Sequence, residues 1–209
     1  PLRATYVAVL TTGAAGLIVT MDWSKGTGAD WPMGTIPRKV DWRAMVNFAP
    51  HAIPHPAWAI EFLSHGQIPT LEVPQFATRR HPHPTMMEAI DLIQSTPQPR
   101  WEEVAWIKEE WGGPLMVKGI THPDDARLAV EHGADAISVS NHGGNTIDDK
   151  QSAISALPRI VDAVGADVDV VIDGGVARGS DVVKALAYGA KAAMIGLGYL
   201  WALIARGEV

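Results

Sequence analysis

From residue 101 to residue 196 the chain repeats one pattern, an amphipathic segment, then a glycine, then a short apolar run. Trp101 to Trp111 has helical spacing and ends at Gly112-Gly113, and PLMVKG (114–119) follows. Pro123, Asp124 and Asp125 open a second helix that stops at Gly133, before DAISVS (135–140). Proline and acids suit a helix's first turn, and glycine suits the position just past its last. A helix over Gln151 to Val164 precedes DVVID (169–173), and one from Ser180 to Tyr188 stops at Gly189 before AAMIG (192–196). An isolated earlier run, GLIVTMD (16–22), has the same apolar character, and residues 1–15 read as the end of an amphipathic helix. Short apolar strands alternating with amphipathic helices predict a parallel sheet with both faces covered.

The expected fold is therefore α/β, a TIM (β/α)8 barrel that is incomplete here. The chain offers five such strands in 209 residues, whereas closure takes eight strands and about 250 residues. A fragment lacking amino-terminal strands accounts for the shortfall, and an open five-stranded sheet is the rival. Residues 1–209 are read as a single partial barrel domain. Within it, residues 24–100 form an insertion after the first strand, holding eleven of the fifteen prolines. Prolines at this density exclude long regular elements. Yet Trp31, Trp42, Phe48, Trp58, Phe62 and Phe76 make the segment too aromatic for a disordered linker. It is expected to hold short helices and to act as a lid or as an oligomer contact.

Composition narrows the function. A formal charge of -6 argues against nonspecific binding to nucleic acid or anionic membranes, so an anionic cofactor must be held by local dipoles. With no cysteine there is neither a disulfide framework nor a thiolate metal site, which fits a cytoplasmic protein. The first residues lack a signal-peptide pattern, and no apolar run reaches membrane-spanning length. His51 and His55, with His81 and His83, lie among prolines without accompanying acids, so no metal is expected.

Two strand ends carry the chemistry. SVSNHGGNTIDD (138–149) points the imidazole of His142 from a strand's carboxyl end, where barrel active sites sit. The second strand ends in Asp173-Gly174-Gly175 and passes Arg178-Gly179 into a helix. Gly174 and Gly175 allow close backbone approach to an anion, and the helix start offers unpaired N–H groups and a positive dipole end. Arg178 adds a charge there, or is simply solvated. Lys118 interrupts an apolar strand, which is costly unless its ammonium meets an anion.

VKG (117–119), SNHGG (140–144) and DGGVARGSDVVKALAYGAKAAMIG (173–196) resemble the FMN-dependent α-hydroxy-acid oxidase and dehydrogenase family. DWSKGTGADW (22–31), TPQPRWEEVAW (96–106) and YLWAL (199–203) are similar to its mycofactocin-maturation branch. The resemblance implies FMN as cofactor and His142 as the base that takes a substrate proton while hydride leaves for the flavin. It implies Asp22 as the carboxylate that orients His142, although Asp22 alone also suits a helix or turn cap. Lys118 is implied at the flavin ring, with a lysine–carboxylate pair as the alternative. Thr20, Ser140, Asp173, Gly174, Gly175, Arg178 and Gly196 are implied in cofactor binding, although the hydroxyls of Thr20 and Ser140 also suit nearby backbone. The implied partners are a small-molecule substrate and, for the full-length protein, a second copy of the chain.

Three departures qualify that picture. Ala177 and Leu197 stand where the family carries arginines, so phosphate binding should weaken by roughly 1.5 to 3 kcal/mol for each charged hydrogen bond lost. Asn145 follows His-Gly-Gly where the family carries the arginine that clamps a 2-hydroxy-acid carboxylate. An amide lacks that cationic fork, which favours a neutral lactam substrate. A 2-hydroxy-acid dehydrogenase and a noncatalytic scaffold without flavin are the competing readings.

Overall fold

The computed structural model describes residues 13–22, 41–64, 72–73, 82–86, 88–89, 91, 99–144 and 149–206. The chain divides into two compact units, Pro1–Val9 with Met33–Thr96, and Leu10–Pro32 with Pro97–Val209.

The larger unit is a five-stranded parallel sheet in the order β1-β2-β3-β4-β5. Its strands are β1 (Leu17–Thr20), β2 (Leu115–Ile120), β3 (Ala136–Val139), β4 (Asp169–Ile172) and β5 (Ala192–Ala193). All five expected strands are present in sequence order, and each pairs in parallel with the next. Residues 13–16 form a turn and coil rather than the end of the expected helix, whose earlier residues lie outside the described ones.

Side chains alternate across a strand, and here the alternation separates core from chemistry. Leu115, Val117, Ile137, Val139, Val170 and Ile172 are buried in one apolar cluster. Lys118, Ser138, Ser140 and Asp173 take the alternate positions, which places polar groups on the opposite face. The apolar face is closed by helices Trp101–Trp111, Pro123–Glu131, Ala153–Val164 and Gly179–Ala187, termed α3 to α6. On α5, Ala156, Leu157 and Ile160 are fully buried, following the 3.6-residue period of an amphipathic helix.

Caps fix the helix ends. The Arg100 N–H donates to Glu103 Oε2 at 2.8 Å at the start of α3. At α4, Pro123 stands in the first turn and His122 Nδ1 accepts from the Asp124 N–H. Lys108 near the end of α3 reaches Asp135 at 2.6 Å, while Asp135 also accepts from the Leu115 N–H. The Lys108 bond is the first cause holding the Asp135 carboxyl below the usual carboxylate range.

A further helix, α7 (Leu197–Arg206), follows β5 and was not anticipated. Its sequence, LGYLWALIAR, is apolar at nearly every position. In the smaller unit, helices Trp42–Ala52 and Pro56–Ser64 (α1 and α2) agree with the expected short helices. Asp41 Oδ1 accepts from the Ala44 N–H at 3.0 Å to cap α1, and Trp58 stacks on Phe62 along α2. Phe76, Trp31 and His81 lie outside the described residues.

Candidate active site

Between Lys118 and Ile120 the β2–β3 register shifts, and Gly119 sits in that irregularity with φ +104. A Cβ at Gly119 would lie 2.5 Å from Asp22 Oδ1. Only glycine lets the carboxylate after β1 come this close. Asp22 is thereby held with its side chain 6% exposed, and its Oδ1 lies 3.2 Å from His142 Nδ1. Its Oδ2 accepts from Lys150 Nζ at 2.7 Å.

His142 begins a single 3-10 turn, His142–Gly144, directly beyond β3. Its φ of 55 is the single positive value at a described non-glycine residue, a left-handed conformation that surrounding contacts must hold. Two contacts do so: the His142 N–H donates to Ser140 Oγ at 3.1 Å, and the ring faces Asp22.

Lys118 meets the anion that its place in an apolar strand demands. Its Nζ lies 3.3 Å from Asp173 Oδ1 and donates to Ser140 Oγ at 2.9 Å. Ser138 and Ser140 donate to the two oxygens of Asp173 at 2.7 and 2.6 Å. Asp173, from the strand-end DGG, thus gathers a lysine and two fully buried serines across three strands.

The glycines after β4 form the opposite wall. Gly174 has φ +94, and a Cβ there would meet Asn141 Oδ1 at 2.6 Å. Beside Gly175 and Gly196 there is open space. At the start of α6, Asp181 Oδ2 accepts from the N–H groups of Ala177 and Arg178 at 3.1 and 2.9 Å. Those two bonds hold the Asp181 carboxyl below the usual carboxylate range. They also change the expected anion site, because two N–H groups beside the helix start already serve a carboxylate.

These walls enclose an open cleft of about 880 Å³, lined among others by Lys118, His142, Asp173, Gly174, Gly196 and Trp201. This volume lies within the range of small-molecule and cofactor pockets. His142, Lys118, Asp173, Gly174, Gly175 and Gly196 therefore open onto one cleft, as the sequence led us to expect. Ser140 lies behind the lining, fully buried, with its hydroxyl engaged by Lys118, Asp173 and the His142 backbone. Thr20 pairs with Lys118 in register but does not line the cleft, and neither does Arg178 at the cap of α6. Asn145 lies outside the described residues. His83 pairs with Glu72 at 3.2 Å, and among the described residues no three His, Cys, Asp or Glu side chains cluster as metal ligands.

Ser138, Asn141, Lys150 and Asp181 were missed. Ser138 was findable, since it shares the polar face of one strand with Ser140. Lys150 was not, because 128 residues separate it from its partner Asp22.

The chain belongs to the FMN-dependent dehydrogenase family, whose profile matches residues 7–209. Among individual relatives it is 49% identical over 197 residues to pre-mycofactocin synthase of Mycolicibacterium smegmatis, covering 94% of this chain and 49% of that protein. It is also 49% identical over 112 residues to L-lactate dehydrogenase of Caulobacter vibrioides, covering 54% of this chain and 29% of that protein. The crystal structure of the monotopic membrane protein (S)-mandelate dehydrogenase superposes with TM-score 0.75 at 30% identity, covering 97% of this chain and 52% of that one. The chain thus spans about half the length of the pre-mycofactocin synthase and of the mandelate dehydrogenase. Among the described residues no helix is long and apolar enough to cross a membrane.

The cleft fits the family's cofactor. The open space beside the Gly175 and Gly196 backbones leaves room for a phosphate, and Lys118 lines the same cleft. Gly174, Gly175 and Gly196 would hold the phosphate, and Lys118 the ring.

Proposed function

We propose that this chain contributes the catalytic half of a cytoplasmic FMN-dependent oxidoreductase that oxidises a peptide-derived lactam in mycofactocin biosynthesis. The observation that carries the reading is the His142–Asp22 pair, 3.2 Å long and backed by a buried carboxylate, opening onto the cleft that Gly174 and Lys118 also line. His142 accepts the substrate proton at Nε2, while Nδ1 faces Asp22, which orients the ring and stabilises the charge it gains. His142 would take the proton from the heteroatom on the reacting carbon, and FMN, if bound, would supply the acceptor for the hydride from that carbon, so a carbon–nitrogen single bond becomes a double bond and the substrate is oxidised by two electrons. Lys118 presents positive charge to the cleft, the electrostatic help that hydride uptake needs. Asp173 and Ser140 hold its ammonium in place.

The lactam preference rests on Asn145, which lacks the guanidinium that a 2-hydroxy-acid carboxylate requires, and on the 49% identity to pre-mycofactocin synthase over nearly the whole chain. The test is anaerobic mixing of FMN-loaded protein with a peptide-derived lactam carrying nitrogen on the reacting carbon, and separately with L-lactate. Bleaching of the flavin by the lactam alone is the expected result. Bleaching by L-lactate would instead establish a 2-hydroxy-acid dehydrogenase.

A further inference from the structure

Asp22 has two side-chain partners, His142 and Lys150. Oδ1 faces His142, and Oδ2 accepts from Lys150 Nζ, which also donates to the Gly119 carbonyl at 3.2 Å. The Lys150 side chain is only 12% exposed. An ammonium removed from water in this way needs both an anion and a further acceptor, and it has both. The other charged groups lining this end of the sheet, Lys118 and Asp173, pair with each other at 3.3 Å. Lys150 is therefore the ammonium that faces Asp22.

A buried carboxylate beside an imidazole favours the imidazole's charged form, and a ring that already holds its proton accepts no other. An ammonium on the far oxygen of Asp22 opposes that pull, because like charges near one carboxylate disfavour each other. We propose that Lys150 is a positioning residue that acts on His142 through Asp22. Its charge offsets the carboxylate and keeps the imidazole receptive to a proton. Its second bond, to the Gly119 carbonyl, fixes the orientation of the carboxylate against β2. This inference rests on the reading of His142 as the base.

The test uses the FMN-loaded protein and two substitutions. Lys150→Gln keeps a hydrogen-bond donor without charge, and Lys150→Arg keeps the charge. For Lys150→Gln, kcat/KM should fall roughly tenfold at neutral pH and recover as pH rises. The downfield proton resonance of the His142 ring N–H should persist to higher pH in the same variant, and Lys150→Arg should return both readouts toward wild type. A uniform loss at every pH, with the resonance unmoved, would reduce Lys150 to a packing role and overturn the proposal. If Lys150→Gln does not fold, the double variant Asp22→Asn/Lys150→Gln, which leaves no buried charge unpaired, decides. Its acidic limb coincides with that of Asp22→Asn if Lys150 acts through Asp22, and a separate shift overturns the proposal. His142→Asn run in parallel separates the two ideas. An inactive His142→Asn with an unmoved Lys150→Gln profile counts against Lys150 alone, whereas an active His142→Asn sinks the base itself.

Discussion

The wall of the cleft formed by the ends of β2 and β3, with Asp22 behind it, works through paired polar side chains, whereas the wall formed by the glycines after β4, by β5 and by α6 works through backbone and space. On the first wall Asp22 meets His142 and Lys150, and Lys118 reaches across to Asp173 at the end of β4, so each of these side chains has a polar partner within hydrogen-bonding reach. On the second, glycine leaves room beside Gly175 and Gly196, and the N–H groups of Ala177 and Arg178 go to Asp181. A proton-transfer device needs fixed geometry and tuned charge. An anion cradle needs donors that are not already committed. The first requirement is met by residues that partner one another, and the second is met only in part.

If the two walls have these separate duties, substitutions should separate turnover from cofactor retention. The largest effect is expected for His142→Asn, which should slow flavin reduction by about 10²–10⁴-fold while leaving FMN bound, as stopped-flow reduction and the visible spectrum would show. Loss of FMN from this variant would mean that the walls do not divide the work. Next comes Gly174→Ala, where the added Cβ would meet Asn141 Oδ1 at 2.6 Å and the backbone has φ +94. A cost of about 1–3 kcal/mol is expected for the strained backbone, read as a lower melting temperature together with weaker FMN binding by fluorescence quenching. Leu197→Arg should act in the opposite direction. Restoring a cation beside Gly196 should tighten FMN by roughly threefold to tenfold, since a half-exposed charge contributes only part of a buried one.

The smallest effect concerns acid. The N–H bonds from Ala177 and Arg178 lower the Asp181 carboxyl below its unfolded value. The resulting stabilisation is therefore full above the ordinary carboxylate range and is lost as pH falls through the depressed value. Melting curves of wild type and Asp181→Asn should differ at neutral pH and converge in acid. A gap that persisted undiminished in acid would show that Asp181 acts through something other than its charge.

The first wall was largely legible in the sequence, and the reason is chemical. A lysine inside an apolar strand and a histidine before paired glycines are costly placements that demand a partner, so Lys118 and His142 announced themselves. The short apolar runs set between amphipathic helices likewise marked all five strands, because parallel strands covered on both faces read as brief, nearly continuous apolar segments. What escaped was whatever depends on distant pieces meeting. Lys150 gains its meaning from a carboxylate at residue 22, and no local spacing relates them. Asp181 drew no reading from the sequence, and only the folded chain reveals that it engages the N–H groups expected to be open. Helix α7 escaped for a different reason, because LGYLWALIAR directly follows a strand and is so largely apolar that it has no polar segment to mark its start.

The claim on which the rest depends is that this cleft holds a flavin between a glycine cradle and the His142–Asp22 pair. The most direct measurement is the absorbance of the protein after reconstitution with FMN and gel filtration, made in parallel on Gly174→Ala. Flavin bands that co-elute with the wild-type protein and are depleted in Gly174→Ala are the predicted result. Wild-type protein that emerges colourless would contradict the account and leave a noncatalytic scaffold in its place.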